Sequence, residues 1–127
     1  MDDSSRLVTC HGLFDSPTTK NTILVLEMGF AQYGIHEELL TDHGTQFVSA
    51  RELEAAQHIF KEFLNQHGIK HIVARVKHYQ TNGKIERFYG EMERRIKKFQ
   101  SVDEIDFWHN DIKPHSSLNY DEPYNAF

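Results

Sequence analysis

The chain has 127 residues, 39% of them apolar and 26% charged, with a net charge of −5; that is room for one domain and a real core, and it argues against disorder. A single cysteine, Cys10, excludes an internal disulfide, a zinc ribbon and a Cys-pair redox site, and suits a reducing cytoplasm. The longest apolar stretch, residues 22–30, is broken by Glu27 and does not suit a bilayer, and Met1 is followed by Asp2 and Asp3, not by a secretory signal.

Residues 6–14 are partly β-branched and apolar and predict a strand. Asp15-Ser16-Pro17 starts a helix, with proline suited to its first turn. Ile23, Leu26, Phe30 and Tyr33 share one face of it, and Gly34 ends it. Residues 38–41 form a short strand that stops at the turn Asp42-His43-Gly44. A second helix covers residues 49–67. Ser49 and Glu52 have capping-box spacing, Leu53, Ala56, Phe60, Phe63 and Leu64 form its apolar stripe, and Gly68 is its stop.

Residues 69–75 alternate and predict another strand, followed by a loop over 76–83. A long helix then runs from Asn82-Gly83 to about Phe99, with a stripe of Ile85, Phe88 or Tyr89, Met92, Ile96 and Phe99. A further helix is expected over 102–112, and an irregular tail over 113–127. Strands alternating with helices indicate a single α/β domain, a sheet covered by helices.

The modest net charge hides a split. Residues 1–64 carry four basic against ten acidic side chains, whereas residues 70–98 carry nine basic against three acidic. Polarised charge of this kind suits an anionic partner, although a solvated helix face has the same composition. The run Lys77-His78-Tyr79-Gln80-Thr81-Asn82-Gly83-Lys84 lies just ahead of a helix, where free N–H groups bind phosphate, and Lys84 and Arg87 add charge there. His78 is a further candidate phosphate contact.

Two carboxylates stand out. Asp42 ends a strand, where α/β sheets gather catalytic groups. Glu86 lies on the long helix, on a face with Gly90, Glu93 and Lys97 and apart from the apolar stripe. Together they could hold a hard divalent cation through oxygen ligands, and a metal pair would serve phosphodiester chemistry. Spacing alone leaves the plainer reading open: Asp before Gly makes turns, and Glu early in a helix complements its dipole. Nine histidines show no HExxH spacing and have no cysteine partner for zinc.

Four segments resemble one family. Thr41-Asp42-His43-Gly44-Thr45-Gln46-Phe47 resembles the D-x-G-x-x-F signature around the second acidic residue of retroviral-integrase-type transposases. Gln80-Thr81-Asn82-Gly83-Lys84-Ile85-Glu86-Arg87-Phe88 resembles their Q-T-N-G-x-x-E-R-F segment around the catalytic Glu. Asn110-Asp111-Ile112-Lys113-Pro114-His115-Ser116-Ser117-Leu118 resembles the Y-N-x-x-R-P-H-x-x-L tail motif of insertion-sequence transposases, and Asp3-Ser4-Ser5-Arg6 their D-x-S-R strand end.

The resemblance implies a ribonuclease-H-like α/β core. It also implies Mg2+, with Mn2+ able to substitute, held by an Asp-Asp-Glu triad, and DNA 3′-end processing and strand transfer. Asp42 and Glu86 match the second and third members of the triad. DNA is the implied partner, with His78, Asn82, Lys84, Arg87, Arg94 and Arg95 as its contacts, and a homodimer is the implied assembly; a prokaryotic host would place the chain at the nucleoid. The chain departs from the pattern in three places: 44 positions separate Asp42 from Glu86, more than is usual; Tyr79 stands for a proline; Lys113 stands for an arginine. The family's first Asp precedes the D-x-S-R segment, so the resemblance places the first strand, most of the second and that Asp before Met1. An incomplete core of this kind is expected to be inactive alone, unless Asp2 or Asp3 stands in. The alternative is a non-catalytic module kept for DNA binding or dimerisation.

Overall fold

The computed structural model describes residues 1–42, 50–73 and 79–127, residues 50 and 79–82 by their backbone. The chain forms two compact units, Cys10–His78 and Met1–Thr9 joined by Tyr79–Phe127.

In the unit Cys10–His78, helix α1 spans Thr19–Tyr33. Thr18 caps it, accepting from the Asn21 N–H at 3.2 Å. Gly34, at φ 88, ends it and donates its N–H to the Phe30 carbonyl. Strand β1 is Glu38–Thr41, helix α2 is Ala50–Gln66 and strand β2 is Lys70–Val73. Gly68, at φ 67, turns the chain from α2 into β2, while the Ile69 N–H reaches back to the Leu64 carbonyl at 2.9 Å. The expected capping residue Ser49 lies outside the described residues.

β1 and β2 pair in parallel, with Glu38 opposite Lys70 and Thr41 opposite Val73. A helical crossover is what parallel pairing requires, and α2 supplies it. The core is Leu26, Phe63, Leu64 and Ile69, flanked by Cys10, Ile23, Phe30, Leu39 and Phe60. Among them, Ile23, Leu26 and Phe30 of α1 and Phe60, Phe63 and Leu64 of α2 lie where the helical periodicity puts an inner face. Phe30 and Phe63 stack at 6.1 Å, and His67 tilts onto Phe63 at 4.4 Å. Gly12 is required by close approach: a Cβ there would stand 2.6 Å from Val25 and 2.5 Å from Phe14.

In the other unit, helix α3 is Tyr79–Arg95, continued by a 3-10 turn at Ile96–Lys98. It starts three residues before the expected Asn82-Gly83 boundary. Asn82 and Gly83 therefore lie inside the helix, Gly83 at a cost of about 1 kcal/mol relative to alanine. Helix α4 is Val102–Phe107, capped by Ser101, and it passes into a π-helical turn at Trp108–Ile112. The expected irregular tail contains a 3-10 turn at Ser116–Leu118, a bridge from His115 to Asp121, and helix α5 at Pro123–Ala126 with proline in its first turn.

Residues 6–14 are not a strand. The Asn110 amide takes the place of a neighbouring strand at Val8, accepting from its N–H at 2.9 Å and donating to its carbonyl at 3.0 Å. Among the described residues, Leu7, Val8, Phe88, Ile105 and Pro123 are the buried apolar side chains of this unit. Of the two expected alternatives, Phe88 is buried and Tyr89 is 53% exposed.

Candidate functional site

Asp42 directly follows the last paired residue of β1, and it is exposed. The strand end that carries it is fastened sideways. The Thr41 hydroxyl lies 2.8 Å from His71 Nε2 on β2, and the His71 ring stands edge-on to Phe60 of α2 at 5.5 Å. Burial pushes the proton affinity of His71 below the usual imidazole range. Sequence reasoning gave His71 no role. The signal was available: strand alternation puts it on the same side of β2 as Val73, the partner of Thr41.

Glu86 lies in the other unit, two turns into α3 and exposed. That is too deep for the dipole role that a first-turn position would give it. The basic candidates on the same helix divide. Arg87 and Arg94 are exposed. Lys84 is half-buried and bonded to Asp3, with Nζ 2.5 Å from its carboxylate and 3.0 Å from its carbonyl. Arg95 pairs with Glu91 at 3.4 Å and covers the Trp108 ring at 4.4 Å. Asn82 is placed on the helix by its backbone alone, and His78 lies outside the described residues.

The two N-terminal carboxylates have local work. Asp2 accepts from the Ser4 and Ser5 N–H groups and from the Ser5 hydroxyl, the last at 2.7 Å. Burial raises its pKa, but these bonds outweigh it and the carboxyl falls below its ordinary value. Asp3 holds Lys84 and Arg6.

The tail motif is an anchor. Asn110 holds Val8, and His109 Nε2 lies 3.1 Å from the Arg6 carbonyl. Lys113 donates to Glu91, and Trp108 lies beneath both Arg95 and Lys113. Burial alone would raise the Glu91 carboxyl; the Lys113 hydrogen bond and the charges of Lys113 and Arg95 bring it below its usual value instead. His109 and His115 meet edge to face at 4.7 Å. Glu91 and Trp108 escaped sequence reasoning because Lys113 lies 22 positions from Glu91.

Carboxylate oxygens are the donors that hard divalent cations take, so the chemistry of Asp42 and Glu86 suits Mg2+. Among the described residues no three His, Cys, Asp or Glu side chains gather as a metal cluster. No helix among them is long and apolar enough to cross a membrane.

The profile of the integrase core domain family matches residues 1–78. An uncharacterised protein of Archaeoglobus fulgidus is 42% identical over 105 residues, which cover 83% of this chain and 84% of that protein. A putative integrase of Spiroplasma virus SpV1-C74 is 25% identical over 98% of this chain, which spans only 40% of the viral protein. Among solved structures, a chain of the simian T-cell lymphotropic virus intasome superposes with a TM-score of 0.68 at 15% identity, over 89% of this chain and 41% of that one. The HTLV-2 integrase catalytic core, solved as a dimer with magnesium, superposes with a TM-score of 0.52 at 20% identity, over 91% and 71%. The α/β arrangement is thus the ribonuclease-H-like one of integrase catalytic cores. By the match over residues 1–78, this chain belongs to the integrase core domain family.

Proposed function

We propose that the chain serves metal-dependent polynucleotidyl transfer on DNA, the 3′-end processing and strand transfer of an integrase or transposase. The observation that carries this reading is the placement of Asp42: an exposed carboxylate directly past a paired parallel strand, inside the segment matched by the integrase core family. Asp42 and Glu86 would hold Mg2+, or Mn2+ in its place. When bound, the metal supplies activation of an attacking oxygen and neutralisation of charge on the leaving oxygen. The protein's own part is to fix the two carboxylates and to bring the phosphodiester to them. The exposed Arg87 and Arg94 are suited to hold phosphate, with Lys84, Asn82, His78 and Arg95 as further contacts. The structural neighbours solved as an intasome and as a magnesium-bound dimer support the reading of DNA and a second copy of the chain as partners.

A second reading, a non-catalytic DNA-binding or dimerisation module, is favoured by one observation. Asp2 and Asp3, which could have stood in for a third carboxylate, are engaged with Ser4 and Ser5 and with Lys84 and Arg6.

Nicking of duplex DNA in Mn2+ separates the two. In the catalytic reading, Asp42→Ala and Glu86→Ala each lower the nicking rate by about 100-fold or more while DNA affinity stays within twofold, as expected when a transition-state interaction alone is lost. DNA binding with no metal-dependent nicking by the unaltered chain establishes the module.

A further inference from the structure

We infer that His71, acting through Thr41, is a positioning residue that fixes the strand end from which Asp42 presents its carboxylate to a divalent cation. The inference rests on the metal-holding reading of Asp42. Strand β1 is only four residues long, and among the described residues it pairs only with β2. Parallel pairing is the weaker kind, and Asp42 is the first residue beyond it, where a short ladder frays first. In the register, Thr41 faces Val73 and Leu39 faces His71. The 2.8 Å contact between Thr41 and His71 therefore runs diagonally across the ladder, and a slip of either strand would break it. Thr41 is β-branched, so a bond to its hydroxyl selects one χ1 rotamer at the residue next to Asp42. His71 is itself held, because its ring stands against Phe60, which packs on the core of Leu26, Phe63, Leu64 and Ile69. The core of this unit thus reaches the strand end through two side chains. Groups that orient a metal-holding side chain typically influence metal affinity strongly although they never touch the ion.

The test is Mn2+ titration of the full chain, read by paramagnetic broadening of the Asp42 amide signal. Thr41→Val keeps the branched shape and removes only the hydroxyl, so it guards against loss of fold in His71→Ala. Each is expected to weaken Mn2+ binding by about tenfold, and the double variant no further, because both remove one shared interaction. His71→Gln, whose amide nitrogen has a similar reach, is expected to restore affinity to within about twofold, which a purely structural role of the ring would not allow. Wild-type Mn2+ affinity in Thr41→Val, additive losses in the double variant, or failure of His71→Gln to restore binding would each overturn the inference. Asp42→Asn is the control. If it weakens Mn2+ binding and Thr41→Val does not, only the positioning role fails. If Asp42→Asn leaves binding unchanged, the metal-holding reading itself fails and this inference with it.

Discussion

Asn110 grips the backbone of Val8 at both of its hydrogen-bonding groups, although 102 positions separate them. Its Oδ1 accepts from the Val8 N–H at 2.9 Å, and its Nδ2 donates to the Val8 carbonyl at 3.0 Å. The pair is buried, with Asn110 at 7% and Val8 at 6% exposure. One side-chain amide thus does for this residue what a neighbouring strand does for a ladder. It also gives the asparagine of the tail motif a structural role.

Asn110→Ala strands a buried N–H and a buried carbonyl together. Each unsatisfied group costs about 1–3 kcal/mol, so a loss of about 2–6 kcal/mol is expected in denaturant unfolding. Asn110→Asp keeps the acceptor but sets a carboxylate oxygen against the Val8 carbonyl, and should be at least as damaging. Stability within about 0.5 kcal/mol of the wild type in both variants would show that the contact carries no weight.

Much of the unit Cys10–His78 was legible in the sequence. Gly34 and Gly68 mark the ends of α1 and α2, both at positive φ, and β1 occupies the four residues that its pattern indicates. Those features are local, and local chemistry decides them. Three features were not legible. Residues 6–14 have strand composition, but the backbone of Val8 among them is bonded to a distant side chain, which no window of sequence contains. Asn82-Gly83 has the composition of a turn, yet α3 runs through it, as tertiary context often overrides propensity. The regular helix expected over residues 102–112 widens into a π turn at Trp108–Ile112, where His109 and Asn110 are buried and reach Arg6 and Val8. For the candidate site, Asp42 and Glu86 were singled out by their motifs, whereas the His71 contact with Thr41 depends on a register that only the paired strands reveal.

Lys113 and Glu91 are expected to tolerate one exchange and not another. Lys113 stands where the family motif has arginine, and its ammonium meets a Glu91 carboxylate that is only 16% exposed. Lys113→Arg preserves the charge and offers a fork to the same oxygens, so stability should stay within about 0.5 kcal/mol. Lys113→Met keeps an apolar stem of similar length but leaves Glu91 with Arg95 alone. A loss of about 1–2 kcal/mol is expected, measured by urea unfolding at neutral pH.

His109 predicts a pH dependence. The residue is 3% exposed. Burial first, and then the charges of His115 and Lys113, push its pKa down from the ordinary imidazole value to about 4, against the opposing influence of the Arg6 carbonyl and Glu91. The unfolded chain therefore binds a proton at this site over a range where the folded chain does not. The stabilisation is complete above pH 6.5 and is lost as pH falls from there to about 4. A shift of that size amounts to roughly 3 kcal/mol. His115, lowered by burial and by Lys113, acts in the same direction. Carboxylates such as Glu91 titrate nearby, so the comparison is between wild type and His109→Asn. The variant is less stable at pH 7.5, and the gap between the two should narrow by pH 4.5. A constant gap across that range would rule out His109 as a source of the pH dependence.

The basic residues of α3 should separate by salt dependence rather than by affinity alone. Arg87 and Arg94 are exposed, whereas Arg95 covers Trp108 and pairs with Glu91, and Lys84 holds Asp3. A residue that meets phosphate releases a counterion, so its neutralisation lowers the slope of log K against log salt by about 1. Arg87→Gln and Arg94→Gln are each expected to show that change on duplex DNA with little effect on melting temperature. Arg95→Gln should instead lower the melting temperature, because the ring of Trp108 and the Glu91 carboxylate both lose a partner. If the slope is unchanged in the double variant of Arg87 and Arg94, α3 does not carry the DNA contact, and the basic segment is the solvated helix face that its composition equally allows.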